Sequence, residues 1–202
     1  LSRVGRRQRQ VWIRERSLGP ERGRGTRYDG SADLSALCRW AWDDKALYFA
    51  AQVQDDKATF LPDARDLANL WQFDCIQMAF DAAGNARGPG YADDDYEYGF
   101  GLAGGAPKAY RWATGNNLPL GDVPNVTVSV GRDDTRQLAL YEVRIPWTEL
   151  LPFSPDTMSC GMTLVVADND GDGPQSSWLE WTPGIAGPKD PTAFGMLTLI
   201  DE

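Results

Sequence analysis

From Leu34 onward, apolar side chains recur at every second residue rather than every third or fourth. That spacing sets one face of an extended strand against a core and the other against water, and it rules out a helical fold for most of the chain. Leu34, Ala36, Cys38, Trp40 and Trp42 share one parity; Asp43-Asp44-Lys45 makes a turn; Leu47, Phe49, Ala51 and Val53 resume the alternation. The pattern predicts a hairpin with strands over 35–43 and 46–55. Further strands are predicted over 72–81, 95–102, 108–112, 125–131, 136–145, 159–167, 177–181 and 194–200, separated by Gly, Pro, Asn and Asp. With 21 Gly and 13 Pro in 202 residues, turns are frequent and long helices are not expected. The one helical signal is Pro146-Trp147-Thr148-Glu149-Leu150, where Pro suits a first turn. The expected fold is all-β: an antiparallel β-sandwich of two packed sheets with about ten strands, jelly-roll or immunoglobulin-like. It is expected as one domain over 10–202, with 1–9 as linker or tail.

Charge is unevenly distributed. Residues 1–27 carry nine Arg against Glu15 and Glu21, a net of +7, while the remainder carries a net of −16. A basic leader on an acidic body reads either as a nucleic-acid arm or as a strand with one wet face. Val11-Trp12-Ile13 inside an Arg/Gln/Glu alternation favours the strand, over about 10–16. The overall net charge of −9 disfavours nucleic acid and anionic membrane as partners. No apolar run approaches the roughly 18 residues of a membrane-spanning helix. The chain starts at Leu1 without a signal-peptide core, which reads as a fragment or processed product.

The sequence contains no His. A Ser-His-Asp triad, a Cys-His pair, a His zinc site and a His-ligated haem are therefore excluded, while carboxylate or Lys chemistry is not. Cys38, Cys75 and Cys160 are far apart, without a CxxC motif, in apolar strand-like contexts; buried free thiols are expected.

Two features suggest binding chemistry. Asp168-Asn169-Asp170-Gly171-Asp172-Gly173 alternates oxygen ligands with residues that permit sharp turns, the composition that Ca²⁺ needs. Asp93-Asp94-Asp95 places three adjacent carboxylates before a strand, which a cation would relieve. A solvated acidic turn is the plainer alternative in both places. The second feature is aromatic. Sugars present apolar C–H faces and a hydroxyl rim, so a glycan site pairs an exposed ring with amides and carboxylates. Trp71, on a polar stretch just before a strand, is harder to bury than a ring within the alternation. Trp112 ends a strand at a Gly/Asn loop. Trp178 and Trp181, three apart in a strand, point to opposite faces, so one should be less buried. Trp12, Trp40, Trp42 and Trp147 read as core or rim.

Five blocks, in order over about 29–200, resemble the family 9 carbohydrate-binding modules and related DOMON-like sandwiches. They are Asp29-Gly30 with Asp33 to Ala36; Ala41 to Ala50, closed by Val53 and Asp55-Asp56; Trp71 to Gln77, ending at Phe80-Asp81; Tyr91 with Asp93 to Asp95; and Trp181 with Lys189 to Gly195. The resemblance implies a non-catalytic sandwich carrying structural calcium and binding sugar between two Trp rings. Residue by residue, it assigns Trp71 to one ring and Gln77 to a sugar-contacting polar position. The second ring's place is taken by Gly187-Pro188-Lys189, and the family's Arg and Asn on the strand after the acidic triplet are Gly99 and Gly101 here. Trp112, Trp178 or Tyr110 is then left to complete a different site.

The expected function is a carbohydrate-binding accessory module of a larger secreted or periplasmic glycan-degrading protein from bacteria. The candidate sugar contacts are Trp71, Gln77, Trp112 and Trp178. The candidate calcium ligands are Asp93, Asp94, Asp95, Asp168, Asp170 and Asp172. The expected partners are a poly- or oligosaccharide and the other domains of a parent enzyme, with the chain itself monomeric. An interaction or spacer module on the same scaffold is the alternative. A glycosidase would need two carboxylates facing a cleft, such as Asp74 and Glu97. A haem domain would have to rely on Met78, Met158, Met162 or Met196.

Overall fold

The computed structural model describes residues 14–19, 22–25, 27–171, 175 and 177–200. Among the described residues, thirteen strands form two sheets, and every pair of these strands is antiparallel. They are β1 (Arg14–Leu18), β2 (Gly23–Gly25), β3 (Leu34–Trp42), β4 (Ala46–Asp55), β5 (Cys75–Asp81), β6 (Asp95–Ala103), β7 (Ala106–Ala113), β8 (Gly121–Asp122), β9 (Thr127–Asp133), β10 (Leu138–Pro146), β11 (Ser159–Asp168), β12 (Ser177–Glu180) and β13 (Gly195–Thr198). The smaller sheet runs β1-β3-β4-β10-β9; the larger runs β2-β12-β11-β5-β6-β7-β8, with β13 also paired to β11.

The all-β sandwich expected from the alternation is the observed fold. In β3 the even-numbered residues are buried and the odd-numbered ones half-buried, so the two-residue period translates directly into a core face. The turn before β4 is set by Asp43, whose carboxylate accepts from the amides of Lys45 and Ala46 at 2.8 and 2.9 Å. Trp40 and Trp42 are core residues, and all three cysteines are buried free thiols. The leader strand spans Arg14–Leu18 and pairs with β3; residues 10–13, with Trp12, lie outside the described residues. Arg16 sets its guanidinium 6.0 Å from the Trp181 ring centroid, itself 6.2 Å from Trp40.

The start of one predicted strand is different. Residues Ala64–Gln72 form a 3-10 helix, and the strand begins only at Cys75. Asp63 caps it, its carboxylate accepting from the Arg65 amide at 2.9 Å. Leu67 and Leu70, three apart, turn to the protein, which leaves Trp71 facing out. Pro146 to Leu150 does make a single 3-10 turn at Trp147–Glu149.

Between the sheets, Tyr96, Tyr98 and Phe100 stack along β6 with centroids about 6 Å apart. Arg111 of β7, only 1% exposed, is buried with them. Its guanidinium pairs with Glu149 and donates to the Tyr98 hydroxyl at 3.1 Å and the Pro119 carbonyl at 2.9 Å. Asn125 donates to the other Glu149 oxygen at 3.0 Å, so the buried charges are matched.

Candidate functional site

The central strands of the larger sheet, β5 and β6, are buried on both faces. Ile76, Met78 and Phe80 of β5 point into the sandwich, as do Met162, Leu164 and Val166 of β11. The opposite parity, Cys75, Gln77 and Ala79 with Val165 and Ala167, points outward. The Ala64–Gln72 helix and the 182–194 loop rise over this outer face, leaving a cleft of about 540 Å³ between them. Its lining includes Trp71, Gln77, Trp112 and Trp178 together with Tyr91, Glu97 and Lys189. All four sequence-derived sugar candidates thus meet in one cleft. Tyr110 packs against Trp112, with centroids 5.4 Å apart, and does not line it.

Each ring reaches the cleft by a different local device. Trp71 is 44% exposed at the end of the helix, because Leu70 beside it takes the buried position. Trp112 is placed by a bulge. Glu97 pairs with Ala113 and Tyr98 with Arg111, so Trp112 is the extra residue between them. Its ring swings over Gly99, where any side chain would collide with it, and its indole N–H donates to the Ala68 carbonyl at 2.8 Å. A Cβ on Gly101 would lie 3.1 Å from Leu70 and from the Cys75 Cβ, a tight contact short of a collision. Gly99 and Gly101 are therefore the floor on which Trp112 and Leu70 rest. Trp178 lies on the outward face of β12; its indole N–H is buried without an acceptor among the described residues.

The polar end of the cleft was not assigned from sequence. Lys189 donates to a Glu97 oxygen at 2.8 Å and to the Ile185 carbonyl at 3.0 Å. The Tyr91 hydroxyl donates to the other Glu97 oxygen at 2.6 Å. Burial, with Glu97 next to it, raises the Tyr91 pKa and keeps the phenol a neutral donor. The available signals were the outward parity of Glu97 with Gly99 and Gly101, and the position of Lys189 where a second ring was expected. Gln77 is 5% exposed at the floor, with the Cys75 thiol beside its amide.

The acidic residues regroup. Asp81, Asp94 and Asp95 bring one carboxylate oxygen each within 4.8 Å of the others, because Asp81 and Asp95 are direct cross-strand partners. Burial, and then the charges of Asp94 and Asp81, push Asp95 up to about 6 against the bond from the Ala92 amide. Asp93 is exposed and outside this trio. Asp170 joins Asp33 and Asp56 in a second trio, whereas Asp168 turns inward to accept from Ser177. Asp172 lies outside the described residues. Asp74 is buried away from the cleft, accepting from the amides of Thr59 and Asn169, so it does not face Glu97 across the cleft as a catalytic partner.

A two-sheet sandwich with an aromatic-walled cleft on an outer sheet face is the architecture of a binding module. The chain belongs to the family described as carbohydrate family 9 binding domain-like, whose model matches residues 10–202. It is similar in fold to a family 9 carbohydrate-binding module from Caldicellulosiruptor kristjanssonii in complex with cellotriose, with a TM-score of 0.67 at 18% identity over 93% of this chain and 83% of that one. The complex of such a module from the same organism with glucose gives the same TM-score and identity, over 93% and 85%. A protein from Bacteroides uniformis aligns with a TM-score of 0.56 at 15% identity, over 92% and 86%. Comparison with curated proteins gives no match.

Proposed function

We propose that this domain binds glycan in the cleft between the Ala64–Gln72 helix and the 182–194 loop, with no catalytic step. The observation that carries the reading is the convergence there of the exposed Trp71 ring with Gln77, Trp112 and Trp178. The rings offer apolar faces to sugar C–H groups, and Gln77 and Lys189 offer hydrogen bonds to hydroxyls. The modules of similar fold that hold cellotriose and glucose support a β-glucan or its end unit as ligand. Its role is then that of an accessory module, secreted with a larger glycan-degrading enzyme.

Two acidic trios are suited to calcium, a hard cation held by several oxygens. Asp81, Asp94 and Asp95 would hold one ion beside the 82–94 loop, and Asp33, Asp56 and Asp170 another. Either ion would tie loops together without touching the glycan.

The test of the glycan reading is Trp71→Ala. Ring stacking contributes about 1–3 kcal/mol to other ring-stacked ligands, so the variant should bind soluble cello-oligosaccharides roughly 5- to 150-fold more weakly. Its melting temperature should change little, because an exposed ring contributes little to the core. A Trp71→Ala protein that binds as well as wild type would overturn the reading.

A further inference from the structure

Where a second stacking ring was expected, the cleft ends in an ion pair between the half-exposed Lys189 and the buried Glu97, and its unused hydrogen-bonding capacity is specific. An ammonium has three N–H donors; Lys189 directs one to Glu97 and one to the Ile185 carbonyl, which leaves the third. Each Glu97 oxygen accepts one bond, from Lys189 or Tyr91, and keeps a further lone pair. The pair therefore presents a donor and an acceptor 2.8 Å apart, about the separation of two oxygens on adjacent pyranose carbons. The backbone holds this arrangement in place: the Gly90 amide donates to the Lys189 carbonyl at 2.7 Å and the Asp190 amide to Gly184 at 3.2 Å.

We infer that the Lys189–Glu97 pair is the specificity element of the cleft, reading a vicinal diol of a neutral pyranose; this rests on the glycan reading above. One hydroxyl accepts from Lys189 while its neighbour donates to Glu97. The pair is the only cation and the only anion among the cleft-lining residues described, so the site has no net charge. A neutral pyranose leaves this balance intact, whereas a uronate or an amino sugar would bring a net charge into the cleft. A sugar lacking one of the two hydroxyls covers the cleft but leaves either the third Lys189 N–H or the spare Glu97 lone pair unmet. That is the situation in which binding sites discriminate best.

The experiment is a chemical-shift titration of the full chain with methyl β-glucoside and its 2-, 3- and 4-deoxy analogues. Removing either hydroxyl of an adjacent pair should weaken binding about tenfold, the effect of one hydrogen bond to a charged group. The double variant Lys189→Met/Glu97→Gln leaves no unpaired buried charge; it should bind the parent sugar more weakly and all the analogues alike. The deoxy series on wild type needs no variant to fold. If wild type binds all four sugars equally while Trp71→Ala loses them, the diol inference is wrong and the glycan reading stands. If no sugar shifts any resonance, both fall.

Discussion

The ring of Trp112 occupies the space that a side chain on Gly99 would need. Because Trp112 is a bulge residue anchored to the Ala68 carbonyl, this one contact joins β6, β7 and the Ala64–Gln72 helix at the cleft floor. Gly99→Ala should therefore displace the ring rather than fit beneath it. A loss of about 1–3 kcal/mol in stability is expected from overpacking, together with weaker sugar binding. Denaturant unfolding and a sugar titration on the variant check this; unchanged values in both would show that the ring moves aside freely.

Arg111→Met tests the buried ion pair between the sheets. Removing the guanidinium strands Glu149 in the core, which costs about 3–5 kcal/mol. The double variant Arg111→Met/Glu149→Gln should recover much of that loss, since it removes the orphaned charge. Equal melting of the single and double variants would contradict the assignment.

The strands were legible because a two-residue period has only one structural meaning when one face is buried. Leu34–Trp42 and Ala46–Asp55 appear within one residue of their expected ends, as the turn chemistry of Asp43 dictates. The Ala64–Gln72 helix was not legible: Leu67 and Leu70 are too few apolar residues to set a helical period. The site was legible in part. A ring on a polar stretch before a strand pointed to Trp71, but the neighbours of Glu97 depend on which strands pair and on how the 182–194 loop folds back. The same limit applies to the acidic groups. Consecutive residues at 93–95 looked like one cluster, yet strand register replaces Asp93 with Asp81.

Calcium should be detectable through its coupling to pH. Asp95 has its carboxyl raised to about 6 in the folded chain, above its unfolded value. The native state without metal therefore holds this proton more tightly than the unfolded state does. The associated stability is fully present below the unfolded pKa and is lost as pH rises through about 6. Calcium held by the ionised trio should stabilise the protein at pH 8 and have little effect at pH 5. Melting with calcium and with chelator at both values measures this. A chelator effect absent at both, with no metal in elemental analysis, would remove calcium from the account.

Mapping a cello-oligosaccharide titration onto the amide and indole resonances of the wild-type domain tests the central claim most directly. The predicted result is a set of shifts centred on Trp71, Gln77, Trp112, Trp178 and Lys189, with about millimolar affinity, near 4 kcal/mol. Shifts confined to the outer face of the smaller sheet, around Tyr48 and Glu142, or no shifts up to the solubility limit of the sugar, would contradict it.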